Sequence, residues 1–68
     1  MPTVTLNGQR RQLRALEATV ADLVRVMGLE GKRIAVERNG TVVPKSRYGE
    51  TPLADGDVLE IVGAVGGG

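Results

Sequence analysis

The part of this sequence best suited to chemistry is its C-terminal end, where an apolar run over residues 58–65 is followed by Gly66, Gly67 and Gly68. A glycine run has no side chains and reaches backbone conformations closed to other residues, so it can pass through a very narrow slot. A terminal carboxylate with a pKa of about 3.5 is ionised at neutral pH. It resists nucleophilic attack until one oxygen becomes a better leaving group. The tail therefore predicts an unhindered carboxylate that becomes reactive only after activation, although a glycine tail alone is also typical of a frayed terminus.

Composition limits what the chain does by itself. Its 68 residues make one small domain, with no cysteine, no histidine and a single aromatic residue, Tyr48. These absences argue against disulfides, thiolate metal sites, a cysteine nucleophile, a histidine base and base stacking on nucleic acid. No apolar run approaches the roughly 20 residues that cross a bilayer, and no signal-peptide pattern begins the chain. We expect a cytoplasmic, monomeric protein without catalytic residues, metal or bound cofactor, and without nucleic-acid or membrane partners.

Charge is unevenly distributed along the chain. Residues 1–47 contain all nine basic side chains and four acidic ones, whereas residues 48–68 contain only four acidic side chains. The two segments carry net charges of +5 and −4. Charge of this sign next to the tail would steer it toward a basic partner surface. The alternative is that these are ordinary solvated charges.

Turn and helix signals in the first half of the chain predict a hairpin followed by a short helix. Asn7-Gly8 between strand-like residues 3–6 and 9–15 predicts a hairpin, because both turn positions need positive φ. Arginines make the second strand basic, which favours an edge position. Thr19 followed three residues later by Asp22 predicts a capped helix start, and Gly28 predicts its end. The apolar residues from Val20 to Met27 then form one stripe.

The second half predicts three more strands. Residues 32–37 form one, Asn39-Gly40 a turn, and residues 41–43 a short edge strand that Pro44 ends. Residues 45–52 are predicted to form a loop or a single helical turn, and Asp55-Gly56-Asp57 a tight turn that is too poor in ligands for a metal. The last strand, residues 58–65, is predicted to be central because it has apolar residues on both faces, and parallel to the first because a helical crossover connects the first hairpin to the later strands.

The predicted architecture is α+β: a ubiquitin-like β-grasp of four to five strands in a mixed sheet packed on one short helix. Residues 1–65 would form the domain and residues 66–68 a flexible glycine tail. The predicted core consists of Val4, Leu6, Leu13, Val20, Leu23, Val24, Met27, Ile34, Val36, Leu53, Leu59 and Ile61.

Three segments, residues 39–48, 51–62 and 64–68, together resemble the thiamine-biosynthesis sulfur-carrier family. With the Asn7-Gly8 hairpin and the helix start, the resemblance covers nearly the whole chain. It implies that a ubiquitin-activating-type adenylyltransferase uses ATP and magnesium to adenylate Gly68. It also implies that sulfur from a cysteine desulfurase system converts Gly68 to a thiocarboxylate, and that Gly66 and Gly67 thread into the partner. Thiazole synthase would receive the sulfur, and all catalytic groups would belong to the partners.

The surface next to the tail is expected to contact the activating enzyme. Val62, Ala64 and Val65 would form an apolar strip beside the acidic residues Asp57 and Glu60. Alternatively, some of the apolar side chains pack under the loop that holds Tyr48. Other functions with a similar fold and tail are the small subunit of molybdopterin synthase, a carrier for transfer-RNA thiolation and a ubiquitin-like tag. A plain β-grasp binding module would leave the glycines unexplained.

Overall fold

A computed structural model of the chain describes residues 2–63 as a five-stranded mixed sheet, one α-helix and one 3₁₀ helix. The strands are β1 (Thr3–Leu6), β2 (Gln9–Gln12), β3 (Ile34–Arg38), β4 (Thr41–Val43) and β5 (Val58–Gly63). The α-helix, α1, spans Val20–Val26, and the 3₁₀ helix spans Lys45–Glu50. The strand order is β2-β1-β5-β3-β4, with β5 parallel to β1 and antiparallel to β3. The predicted β-grasp is confirmed, including the central place of the last strand.

Both predicted Asn-Gly turns join neighbouring antiparallel strands. Asn7 and Gly8 have φ of 51° and 83°, and Asn39 and Gly40 have φ of 53° and 84°. Two successive positive φ angles are what type I′ turns require, and the twist of such turns matches that of the strands. The two turns therefore set the register of the β1–β2 and β3–β4 hairpins.

The start of α1 has the predicted reciprocal cap. The Asp22 backbone N–H donates to Thr19 Oγ1 at 3.2 Å, and the Thr19 backbone N–H donates to Asp22 Oδ2 at 3.0 Å. The helix ends as predicted, because Gly28 adopts a left-handed φ of 74°. Its buried residues Val20, Leu23 and Val24 pack on one face of the sheet.

The core largely confirms the predicted one, with three differences. Met27 and Ile34 are only partly buried, and Val43 is buried although it was not predicted. Both Val42 and Val43 are apolar, so alternation along so short a strand cannot tell which one points inward. The β3–β4 register places Val43 beside buried Val36 and thereby decides it.

Two strands differ in length from the prediction. β3 begins at Ile34 and continues to Arg38 instead of spanning 32–37, and β2 ends at Gln12 instead of residue 15. The chain turns after β2 because buried Glu17 accepts a hydrogen bond from the Arg14 backbone N–H at 2.8 Å and one from Arg11 Nη2 at 3.1 Å. The Arg14 amide lowers the pKa of Glu17, burial raises it, and Arg11 helps to keep it below its ordinary value.

The predicted glycine tail, the proposed domain boundary after residue 65, and two members of the predicted apolar strip, Ala64 and Val65, lie outside the described residues. Within residues 2–63, no helix is long and apolar enough to cross a membrane.

Candidate carrier site and the strand that supports it

The strand that leads to the tail is held on both sides. On one side β5 pairs with β3 from Arg38↔Leu59 to Ile34↔Gly63. On the other side it pairs with β1 only at Thr5↔Val58 and Leu6↔Leu59. Leu59 is fully buried and Ile61 is nearly so, so two side chains anchor the strand in the core. Gly63, the last described residue of this strand, is therefore held beside Ile34 by a well-anchored strand.

The side chain of Asn7 extends the β1 side of this strand beyond the end of β1. Asn7 Oδ1 accepts from the Ile61 backbone N–H at 2.8 Å, and Asn7 Nδ2 donates to the Ile61 carbonyl at 3.1 Å. The Asn7 backbone N–H donates to the Leu59 carbonyl at 2.9 Å. The side-chain amide thus replaces one further peptide group of a neighbouring strand and satisfies both backbone groups of Ile61. The Asn7-Gly8 pair in the sequence predicts only the turn, because the contact with Ile61 forms between residues 54 positions apart.

Asn39 holds the other end of β5 in a similar way. Its Oδ1 accepts from the Val58 backbone N–H at 2.9 Å, and its backbone N–H donates to the Val58 carbonyl at 2.7 Å. Its Nδ2 donates to Asp57 Oδ1 at 3.0 Å. Both Asn-Gly turns therefore bind the strand that carries the tail.

Asp57 does not belong to the exposed partner surface, and its predicted place there is wrong. The residue is 6% exposed. Its carboxylate accepts from the Ala54 backbone N–H at 2.8 Å, from Arg38 Nε at 2.9 Å and from Asn39 Nδ2. Burial raises the pKa of Asp57, but these hydrogen bonds and the Arg38 charge outweigh burial and keep the pKa below its ordinary value. The carboxylate holds the turn before β5 to the end of β3.

Asp55, the other acid of this turn, has a structural contact as well. Its Oδ1 accepts from the Thr3 backbone N–H at 2.8 Å, and Gly56 between the two acids has the predicted left-handed φ, at 87°. Among residues 2–63, no group of three or more histidine, cysteine, aspartate or glutamate side chains is placed to hold a metal ion.

The face of the sheet away from α1 exposes both apolar and acidic side chains among residues 2–63. We call this set the open-face patch, and it consists of Ala35, Glu37, Val42, Val58, Glu60 and Val62. Its three valines are exposed, Val62 by 55%. The register pairs Ala35 with Val62 and Glu37 with Glu60, and it places Val42 on the other side of Glu37. Two carboxylates directly opposite each other repel, so a cationic partner group between them would be favoured.

Val62 and Glu60, predicted as partner-surface residues, are therefore both exposed on the face beside the strand end. The alternative that Val62 packs under the loop holding Tyr48 is wrong. Tyr48 packs against the core cluster, on the side of the sheet that carries α1.

The chain is similar to known proteins over nearly its whole length. The family model of the ThiS family matches residues 4–68, which include the three glycines. The chain belongs to the ThiS family. A sulfur carrier protein ThiS of Bacillus subtilis is 44% identical to it over 63 residues, covering 93% of this chain and 96% of the relative. The crystal structure of a thiamine biosynthesis protein, ThiS, from Geobacter metallireducens shares 28% identity and the same fold, with a TM-score of 0.81 over 97% of this chain and 99% of that one.

A longer protein that contains a segment similar to this chain is named a thiazole synthase. A thiazole synthase of Paramagnetospirillum magneticum is 43% identical to this chain over 65 residues, which is 96% of this chain. The chain spans only 20% of the length of that relative. The sequence resemblance to the thiamine-biosynthesis sulfur carriers is thus confirmed, and a segment of this family also occurs within a thiazole synthase.

Proposed function

We propose that this chain is a sulfur carrier of thiamine biosynthesis whose Gly68 carboxylate is first adenylated and then converted to a thiocarboxylate. One observation carries the proposal: the match to the ThiS family extends over the glycine tail to Gly68. The name of the Bacillus subtilis relative, which aligns over nearly its full length, supports the carrier role. The chain itself supplies a carboxylate and a fold that presents it.

The chemistry belongs to partner enzymes. A carboxylate oxygen of Gly68 attacks the α-phosphorus of ATP, and magnesium pyrophosphate leaves. The terminal sulfur of a partner persulfide, charged by a cysteine desulfurase system, then attacks the acyl carbon and displaces AMP. A second thiol cleaves the resulting acyl disulfide, which leaves a thiocarboxylate on Gly68 and a disulfide on the partner. Because activation consumes ATP, we propose that the reaction takes place in the cytoplasm.

The described part of the chain has two tasks in this scheme. The first is to hold the base of the tail: five residues follow Gly63, and when extended they reach at most about 17 Å. The second is recognition, which we assign to the open-face patch. Its exposed valines and paired glutamates suit an activating enzyme whose contact surface is apolar and basic.

Thiazole synthase is the proposed acceptor of the sulfur. Support comes from the thiazole synthase relative that contains a segment similar to this chain. A carrier for molybdopterin synthase or for transfer-RNA thiolation would need the same activation and would differ in the acceptor. The names of the relatives favour thiamine biosynthesis over both.

The test changes the position of the carboxylate. Deleting Gly68 withdraws the carboxylate by about 3.5 Å of extended chain, and adding one glycine after it advances the carboxylate by the same distance. Displacements of about 1 Å already cost active sites large factors in rate, so both changes should abolish activation and sulfur loading. Pyrophosphate exchange with the cognate adenylyltransferase measures the first step, and the intact mass of the carrier shows the replacement of oxygen by sulfur.

A control variant carries one extra glycine between Met1 and Pro2, so that its length changes while the tail is kept. It should be activated normally. If the Gly68 deletion is loaded with sulfur at the rate of the control, the carrier proposal is wrong and a plain binding module becomes the better account.

A further inference from the structure

A shallow groove with an apolar floor lies on the α1 side of the sheet, between α1, the loop before β3 and the 3₁₀ helix. Its volume is about 190 Å³. We call it the basic groove, and its defining residues are Val24, Leu29, Lys32, Ile34, Lys45 and Tyr48. Leu29, Ile34 and Tyr48 are only partly buried and pack on the core cluster, so part of their apolar surface stays open to solvent. The floor is large enough to take one apolar side chain of a partner.

The rim of the basic groove is positively charged. Lys32 and Lys45 line it, and Arg33 lines its continuation toward solvent. All three are exposed, and none of them forms an ion pair within residues 2–63. Glu30 is the one carboxylate among the residues lining the groove. Unpaired cations around an apolar floor are complementary to an apolar side chain that is flanked by carboxylates.

The basic groove lies at the same end of the sheet as Gly63. Ile34 is a groove residue and is also the register partner of Gly63, the last described residue of β5. The next pair, Ala35 and Val62, belongs to the open-face patch on the other side of the sheet. The base of the tail therefore lies between an acidic apolar surface and a basic apolar surface.

We propose that the basic groove is the docking surface for thiazole synthase and receives an apolar side chain flanked by carboxylates from that enzyme. The inference rests on the proposed function, in which one tail serves two proteins in succession. The open-face patch is assigned there to the activating enzyme. A second surface of opposite charge at the same end of the sheet lets the loaded carrier bind a different protein. We take this protein to be thiazole synthase, because one thiazole synthase contains a ThiS-like segment.

The test compares how single substitutions affect the binding of the two proteins. Affinities for the cognate thiazole synthase and for the cognate adenylyltransferase are measured at low and high ionic strength. At low ionic strength Lys45→Glu should weaken thiazole synthase binding about tenfold, because an attractive contact becomes repulsive, and salt should reduce the difference. Ala21→Phe, which fills the groove from α1, should weaken thiazole synthase binding by about tenfold at either ionic strength.

The matched control is Arg10→Glu, which changes the net charge by the same amount on exposed strand β2. Three strand spacings separate β2 from β3, about 14 Å, and the low-salt measurement is made at about 0.1 M, where the Debye length of about 10 Å is shorter than this distance. Its binding to thiazole synthase should stay within about twofold of wild type. Shifts of the Ile34 methyl and Tyr48 ring resonances on addition of thiazole synthase would place the contact directly.

The outcomes separate this inference from the proposed function. If wild type binds and both groove variants bind equally well, the inference is wrong while the carrier role stands. Equal losses of thiazole synthase affinity in Lys45→Glu and Arg10→Glu would also overturn the inference, because net charge would then explain the binding. The inference is likewise wrong if Lys45→Glu weakens binding to thiazole synthase and to the adenylyltransferase equally. Perturbation of Tyr48 by AMP alone would assign the groove to a nucleotide instead. A wild-type carrier that binds neither enzyme would refute the proposed function as well.

Discussion

Replacing Asp57 by alanine removes the carboxylate that joins the β5 turn to the end of β3. The Ala54 backbone N–H, Asn39 Nδ2 and Arg38 Nε all donate to it at 2.8–3.0 Å. Asp57 is 6% exposed, so water replaces the lost acceptor poorly. The substitution therefore leaves three donors without their partner in a nearly closed site.

The expected loss follows from these contacts. A hydrogen bond to a charged group contributes about 1.5–3 kcal/mol, and such contributions are not additive within one network. The Arg38 side chain is 32% exposed and can turn to water, which reduces its share. We expect a loss of about 2–4 kcal/mol in the free energy of unfolding. A 68-residue domain has about 3–10 kcal/mol in total, so the variant should be close to the limit of folding.

Urea unfolding followed by circular dichroism measures this loss, with Glu60→Ala as the control. Glu60 is exposed and lies opposite Glu37, so Glu60→Ala removes one negative charge, as Asp57→Ala does, and also removes the repulsion between the two glutamates. The control should unfold at or slightly above the wild-type urea concentration. Asp57→Asn keeps the shape and one acceptor oxygen, so it should lie between wild type and Asp57→Ala.

The pH dependence gives an independent check. The pKa of Asp57 is lower in the folded protein than its ordinary value of 3.8. Its contribution is therefore complete above about pH 4 and is lost as pH falls through the folded-state pKa. The difference in stability between wild type and Asp57→Ala should be constant near neutral pH and shrink below about pH 4. A loss no larger than that of the control, or a difference that does not change with pH, would refute this account of the turn.

Three further predictions concern the helix, the support of β5 and the open-face patch. Leu23→Ala should cost about 2–5 kcal/mol in urea unfolding, because Leu23 is fully buried, and a loss within error would contradict the α1 packing. Asn7→Asp replaces the donor to the Ile61 carbonyl by an oxygen, so it should lower the free energy of unfolding by about 1–3 kcal/mol and speed amide exchange at Ile61. Unchanged exchange at Ile61 would show that Asn7 does not support β5. Val62→Asp should slow adenylation without unfolding the protein, while Leu16→Asp, at a residue 82% exposed outside the patch, should not; equal rates would exclude Val62 from the contact.

Local signals in the sequence determined the elements of this protein. Each Asn-Gly pair predicts its hairpin because few residues tolerate two positive φ angles, and Thr19 with Asp22 predicts the cap of α1 because the two side chains reach each other's backbone. The glycine tail is likewise visible in the residues alone, since its chemistry is that of a chain end without side chains. These features depend on residues a few positions apart.

The tertiary structure decided the roles that depend on distant residues. Asp57 was predicted from its charge to be a surface acid, but Arg38 and Asn39 enclose it when β3 and β5 come together. Asn7 supports Ile61, 54 positions away, only because β1 and β5 are parallel neighbours. Val42 and Val43 are equally apolar, and the strand register alone places one in the open-face patch and the other in the core. Burial and pairing across the sheet are properties of the assembled fold, so one-dimensional patterns cannot assign them.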